Sequence, residues 1–392
     1  MTTHFEYSIL SNPKDTQQLQ AILDQCFNSL PGSSETYFNR IDLANFRIIH
    51  QAGQVAGGLA TIHMGQWFGG QPVPMVGIAA VGVAPEYRGA GAALSLMQQT
   101  LKEFHANQVP ISALYPATQR LYRQVGYEQG GTLCSWETPT ESIQMRERSV
   151  SFERLLPVKH EVLHALYQQQ ASLTNGNLDR NQAIWQGVTQ SDDKETVYAY
   201  LLGSADQPEG YIVFSQHQIE NSSILWVRDW ALLTSTAVRS FWTFVADHRS
   251  QMKKVRWRGP AIDALTLSLP EQVATIRSAQ RWMLRIVDVS RALEKRGYPQ
   301  NIQAELHLDV YDHLLPENTS KFILSVANGY GEVTRGGKGE LQIDIRGLAP
   351  LYTGLFTPHQ LQLAGQLTAP EATLATASQL FVGTSPWMLD FF

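Results

Sequence analysis

The stretch Arg88-Gly89-Ala90-Gly91-Ala92-Ala93 carries the most specific chemical signal in the chain. Side chains almost vanish there, just after the apolar run Met75–Ala84 and just as a helix begins. Small residues at a helix start let an anion approach backbone N–H groups that no intrahelical carbonyl satisfies, and the helix dipole adds about half a positive charge. The chemistry expected is phosphate or pyrophosphate binding. No Gly-Lys-Ser/Thr follows, so the turn is not a P-loop. The third glycine of a dinucleotide fingerprint would fall at Leu94, so it is not that fingerprint either.

Such a loop must be held between a strand and a helix. The run Met75–Ala84, bounded by Pro74 and Pro85 and too short for a bilayer, predicts a strand buried on both faces. After the helix, Ile111–Tyr115 reads as a strand and Leu121–Gly126 as a short helix stopped by Gly126, with a new strand from Tyr127. Upstream, Phe5–Leu10 reads as a strand. Asp15–Phe27 reads as an amphipathic helix with Leu19, Ile22, Leu23 and Phe27 on one face, and Phe46–Gln51 with Gln54–Trp67 as a hairpin around Gly53.

Arg-x-x-Gly-x-Gly/Ala directly after a strand ending Val-x-Val resembles the acetyl-CoA loop of the GNAT superfamily of N-acetyltransferases. The resemblance implies that the pyrophosphate of acetyl-CoA rests on amides of Gly89, Ala90, Gly91, Ala92, Ala93 and Leu94, with Arg88 at the loop's start. Pantetheine would pair with the backbone of Val81, Gly82 and Val83, and Ala117 and Thr118 would also touch the coenzyme. Tyr122 matches the family's general acid, which protonates the departing thiolate. A phenol with pKa of about 10 keeps its proton at neutral pH. Tyr127 is expected to pack.

The same rhythm restarts after a polar connection at Glu141–Glu153. Pro157–Gln170 looks helical, Glu195–Gly203 and Gly210–His217 look like a hairpin, and Ile224–Leu233 like a buried strand leading into a helix at Ser235–Asp247. The turn there, Leu232 to Arg239, lacks glycine, and a bulky turn keeps backbone amides from a pyrophosphate. The expectation is a duplicated acetyltransferase-like domain that has lost coenzyme binding. Within it, His160-Glu161-Val162-Leu163-His164 matches the zinc-hydrolase pattern, but no third ligand follows at a suitable spacing, so a surface helix is the favoured reading. From Ile286 onward a helix (Asp288–Arg296), strands at Ile302–Val310, Lys321–Val326, Gly331–Thr334 and Leu341–Ile345, and helices at Ala349–Leu355, Thr357–Ala364 and Glu371–Phe381 look like a sterol-carrier-protein-like α+β domain.

The full order resembles the Eis (enhanced intracellular survival) acetyltransferases. The fold class expected is mixed α/β (α+β): a catalytic GNAT domain over 1–140, a degenerate GNAT-like domain over 150–285 and a sterol-carrier-like domain over 286–392. That family's terminal carboxylate enters the active site, which makes Phe392 the candidate general base. The aromatic ending Pro386-Trp387-Met388-Leu389-Asp390-Phe391-Phe392 independently argues for a buried tail, because frayed termini are usually polar. The resemblance also implies a hexamer and cationic amine acceptors, aminoglycosides or lysine side chains. Such a pocket needs acidic walls, for which Asp24, Glu35 and Asp390 are candidates, and Trp67 and Phe68 either line it or belong to the core.

Composition agrees with an ordinary globular protein of two or three domains: 392 residues, 43% hydrophobic and 17% charged. A net charge of −5 argues against nucleic acid as the main partner. The basic run Lys253–Arg258 alternates with Val255 and Trp257, as one solvated strand face does. Two cysteines, Cys26 and Cys134, offer neither metal spacing nor a disulfide framework, and the start MTTHFEYSILSNPKD has no secretory pattern, so a cytoplasmic protein without metal or membrane span is expected. Two rival functions stay open at this point: a non-catalytic amine or lipid binder, and a zinc hydrolase built on His160, Glu161 and His164.

Overall fold

Asn12 and Pro13 start the first helix together. The Asn12 side chain accepts from the Asp15 amide, and Pro13 takes the first helical position, where an amide hydrogen is not needed. In the computed structural model, which describes residues 4–30, 34–191, 195–204, 206–219 and 222–392, strand β1 (Glu6–Ile9) precedes this helix, α1 (Pro13–Cys26). There follow α2 (Glu35–Ile41), β2 (Phe46–Gln51), β3 (Gln54–Phe68), β4 (Gln71–Val83), α3 (Ala92–Ala106), β5 (Ile111–Leu114), α4 (Gln119–Arg123) and β6 (Glu128–Pro139). β1 to β4 pair antiparallel in order, and β4 then runs parallel to β5. A parallel neighbour requires a crossover, and α3 supplies it.

β4 begins earlier than the prolines predict. It runs through Pro72 and Pro74, which pair with Trp67 and Gly65 of β3, whereas β5 reaches only Met75 to Gly77. A residue without an N–H is tolerated on a stretch that β5 does not reach.

The second set of elements is β7 (Phe152–Leu155), α5 (His160–Ser172), β8 (Leu178–Asp179), α6 (Gln182–Thr189), β9 (Tyr198–Ser204), β10 (Gln207–Ile219), β11 (Ser222–Leu232), α7 (Ser235–Asp247), β12 (Lys254–Gly259) and β13 (Thr275–Ile286). β7, β9, β10 and β11 pair antiparallel, and β12 joins β11 in parallel after α7, repeating the earlier order. On β12, Val255 and Trp257 are buried while Lys254 and Arg256 both bind Glu137 of β6. That face is less solvated than expected, since Arg256 is itself buried against its carboxylate partner.

The third set is α8 (Val289–Lys295), β14 (Ala304–Tyr311), β15 (Ser320–Ala327), β16 (Tyr330–Arg335), β17 (Leu341–Asp344), α9 (Ile345–Thr353), α10 (Pro358–Leu363), β18 (Leu367–Thr368) and α11 (Glu371–Leu380). Its sheet has the order β16-β15-β14-β17-β18. α9 starts four residues before the expected Ala349, because the Asp344 side chain caps it by accepting from the Arg346 amide.

By internal contacts the chain divides into two compact units, one of residues 1–130, 282–383 and 392, the other of 131–281 and 384–391. The first holds the glycine loop, α4 and the terminal residue. No helix among the described residues is long and apolar enough to cross a membrane.

Candidate active site

β4 and β5 part company in the middle of the sheet. Their pairing covers only Met75–Gly77 against Ile111–Ala113, while β4 continues to Val83. The register between β3 and β4 slips between Gly58 and Ala60, and Ala80 adopts φ of 50°, a left-handed value that is uncommon without glycine. The bulge leaves Val81, Gly82 and Val83 on a strand edge that β5 does not pair, and an extended chain can add to such an edge by main-chain hydrogen bonds.

The glycine loop lies immediately beyond. Gly89 and Gly91 have φ of 77° and 86°, and nothing lies within 4 Å of a Cβ built on either. The two glycines therefore serve backbone direction and not close packing. Gly91 is the N-cap of α3 and offers no side-chain cap, so the amides of Ala92, Ala93 and Leu94 begin a helix without intrahelical acceptors. Leu96, Met97, Leu101 and Phe104 bury the helix on the sheet and fix its direction. The exposed Arg88 turns back toward β4. Its Nε donates to the Val83 carbonyl at 3.2 Å, and its Nη2 lies 3.4 Å from Cys26 Sγ. These features suit a pyrophosphate and an extended pantetheine arm.

α4 carries Tyr122 into the apolar cluster that also holds Ala92, Ile78, Val76 and Tyr127, against which the half-buried Val81, Val83 and Leu94 pack. Only 5% of Tyr122 is exposed, and burial pushes its phenol up to about 12. The ring meets Tyr127 edge-on at 6.1 Å. Tyr127 is fully buried, with its hydroxyl 2.7 Å from Ser112 Oγ, which donates to the Val76 carbonyl. Ala117 and Thr118 are exposed at the start of α4, and Thr118 caps that helix by position without a side-chain bond.

The tail is buried. Met388 donates to the Thr132 carbonyl, Trp387 donates to that of Asn175 and stacks on Trp230 at 6.1 Å, and Asp390 accepts from Arg180 Nε at 3.0 Å. Arg180 also forks onto both oxygens of Asp229 and lies over the Tyr167 ring at 3.7 Å. This network escapes sequence reading because Arg180, Asp229 and Asp390 are distant along the chain. Phe392 belongs to the first unit, where its ring meets Tyr115 edge-on at 6.1 Å and lies beside Gly77.

Among the proposed acidic walls, Asp24 is buried on α1, Asp390 is bound to Arg180, and Glu35 is exposed on α2. Phe68 belongs to the core, fully buried against Tyr352, while Trp67 is half-buried. His160 and His164 both pack against Trp185, at 5.7 and 6.0 Å. Their common neighbour is an indole, and among the described residues no group of three His, Cys, Asp or Glu is placed to hold a metal. In the turn before α7, Thr234 caps the helix by accepting from the Ala237 amide and donates to the Glu209 carboxylate. The chain's own side chains thus occupy the helix start that is open at α3.

Comparison with known proteins gives a consistent picture. Models of the acetyltransferase (GNAT) domain match residues 9–130 and 176–286, and a model of the sterol carrier protein domain matches 289–389. The crystal structure of a GCN5-related N-acetyltransferase from Anabaena variabilis is 59% identical, covers 99% of this chain and 100% of its own, and superposes with a TM-score of 0.97. A GCN5-related N-acetyltransferase from Kribbella flavida is 28% identical over 100% of this chain and 99% of its own, with a TM-score of 0.86. The N-acetyltransferase Eis of Mycobacterium tuberculosis is 22% identical over 77% of this chain and 76% of its own.

Proposed function

Because the chain belongs to the Eis-like GCN5-related N-acetyltransferases (GNAT) with a sterol-carrier-like C-terminal domain, we propose that it acetylates a primary amine directly from acetyl-CoA in a ternary complex. The acceptor is a cationic small molecule, aminoglycoside-like, or a lysine side chain. The observation that carries this reading is the parting of β4 from β5 beside an open, glycine-capped helix start.

Acetyl-CoA supplies the acetyl group and leaves as the free thiol. On the protein side, the backbone of Val81, Gly82 and Val83 holds the extended arm as an added strand. Amides from Gly89 to Leu94 hold the pyrophosphate, with Arg88 beside them and Ala117 and Thr118 completing the contacts. A backbone N–H near Val83 polarises the thioester carbonyl as negative charge develops there. The carboxylate of Phe392 takes the proton that the ammonium must lose before its nitrogen can attack, and Tyr122 gives a proton to the departing sulfur. Burial suits Tyr122 to that task by keeping it protonated. Each group should contribute about 10²- to 10⁴-fold.

In this reading residues 1–140 form the catalytic domain, 150–285 a copy without coenzyme binding and 286–392 a scaffold. The side-chain cap on α7 supports the second assignment. Hexameric assembly and a cytoplasmic location complete the proposal. Calorimetric titration of the full chain with acetyl-CoA tests it without knowledge of the acceptor. One site per chain is expected. No binding refutes the coenzyme assignment, and two sites refute a degenerate second domain.

A further inference from the structure

The ring of Phe392 lies where a side chain is missing. Gly77 is the last β4 residue paired with β5, opposite Ala113, and it faces Ile62 on β3. A Cβ built on it would come 2.5 Å from Met64 Cε, 2.6 Å from Phe392 Cε2 and 3.1 Å from Phe392 Cδ2. Contacts that short do not persist between carbon atoms, whose optimum is about 3.5–4.0 Å. Tyr115, just past the end of β5, meets the same ring edge-on with 73° between the planes. Gly77 is not among the glycines with positive φ, so its backbone asks for no glycine. What the missing side chain provides is room.

We propose that Gly77 is a positioning residue, setting the depth at which the Phe392 ring seats and thereby the place of the carboxylate that the same residue carries. The inference rests on the reading of that carboxylate as the proton acceptor. A methyl at position 77 displaces both Met64 Cε and the ring; the flexible end of Met64 can turn aside, while the ring must move back by about 1 Å to regain ordinary contact. Misplacement on that scale costs a reacting group about 10²-fold in rate. The coenzyme's phosphate contacts lie elsewhere, on the glycine loop, so its affinity should not follow.

The test uses the full chain, with acetyl-CoA and an aminoglycoside or lysine-bearing peptide that the wild type acetylates. Gly77→Ala should lower kcat by about 10²-fold while changing the KM for acetyl-CoA by less than about threefold. Gly77→Ala combined with Phe392→Leu, a narrower seat occupant, should recover at least about tenfold of that loss. In a chain lacking Phe392, the alanine should have no further effect. Phe392→Ala keeps a terminal carboxylate but loses the seat, and should resemble the deletion; it also serves if Gly77→Ala does not fold. Wild-type kcat in Phe392→Ala or in Gly77→Ala, with the deletion severely impaired, overturns the positioning role and leaves the base assignment standing. An additive loss in the shortened chain overturns it too, by showing that the methyl acts through the strands. Wild-type kcat in the chain lacking Phe392 overturns the base assignment itself.

Discussion

Placing a carboxylate at Gly91 should move stability and binding in different ways. Gly91 has φ of 86°, so any side chain there carries left-handed strain of roughly 1–2 kcal/mol. The space around it is open, so no clash adds to that strain. Gly91→Ala therefore measures the strain alone. In Gly91→Asp the added charge sits at the N-terminus of α3, where a carboxylate recovers about 0.3–1 kcal/mol. The aspartate variant should thus be at least as stable as the alanine variant in urea unfolding. For a pyrophosphate the sign reverses: two like charges at 4 Å cost about 4 kcal/mol at an effective dielectric of 20, and even half that weakens binding by about 30-fold. Calorimetric titration with acetyl-CoA should show the alanine variant within about tenfold of wild type and the aspartate variant at least about 30-fold weaker than alanine. Equal affinity in the two variants, both folded, would refute an anion site at this helix start.

Tyr122→Phe should lower kcat by about 10²- to 10⁴-fold with little change in acetyl-CoA affinity by calorimetry. Because burial raises the Tyr122 phenol from about 10 to about 12, its ionisation should not shape the rate below about pH 11, so a basic limb near pH 9–10 that vanishes in the variant would contradict the assignment. The same shift makes its linked stability complete below about pH 10 and lost between about 10 and 12. In the second unit, Asp390→Asn leaves the Arg180–Asp229 fork intact, whereas Arg180→Met strands two buried carboxylates. Urea unfolding should therefore show the larger loss for Arg180→Met, on the order of 3–5 kcal/mol, and the opposite ranking would remove the network from the account of tail burial.

The parts of the site that were legible in the sequence are those written in consecutive residues. The glycine turn needs small residues side by side, and the short helix bearing Tyr122 is closely followed by a glycine, so both announce themselves, although the helix spans Gln119–Arg123 and Gly126 lies in the turn beyond it. The duplicated order of strands and helix was visible in the same local way; although Phe391 is exposed, so was the burial of the tail as far as Asp390. The parting of β4 from β5 was not, because it depends on where β5 stops relative to β4 and on the φ of Ala80, neither of which a residue type dictates. Pro74 misled for a related reason: a proline breaks a ladder only if a second strand reaches it. Gly77 did leave a trace, as one of two glycines, with Gly82, within an apolar strand run, and a glycine there signals a bulge or a close approach. Only the fold shows that the close approach is to the last residue of the chain.

Thr234 and Glu209 give the two acetyltransferase-like copies different dependences on their surroundings. A helix start answered by its own chain gains nothing from a dissolved anion, whereas one left open gains about RT ln(1 + [L]/Kd) from whatever anion it binds. Under the proposed assignment, saturating acetyl-CoA at a hundred times its Kd adds about 2.7 kcal/mol to the fold around α3 and nothing directly to the fold around α7. In the reading proposed for it, the copy with the self-capped helix has become independent of metabolite supply, so in a starved cell only the catalytic copy would lose protection against a protease.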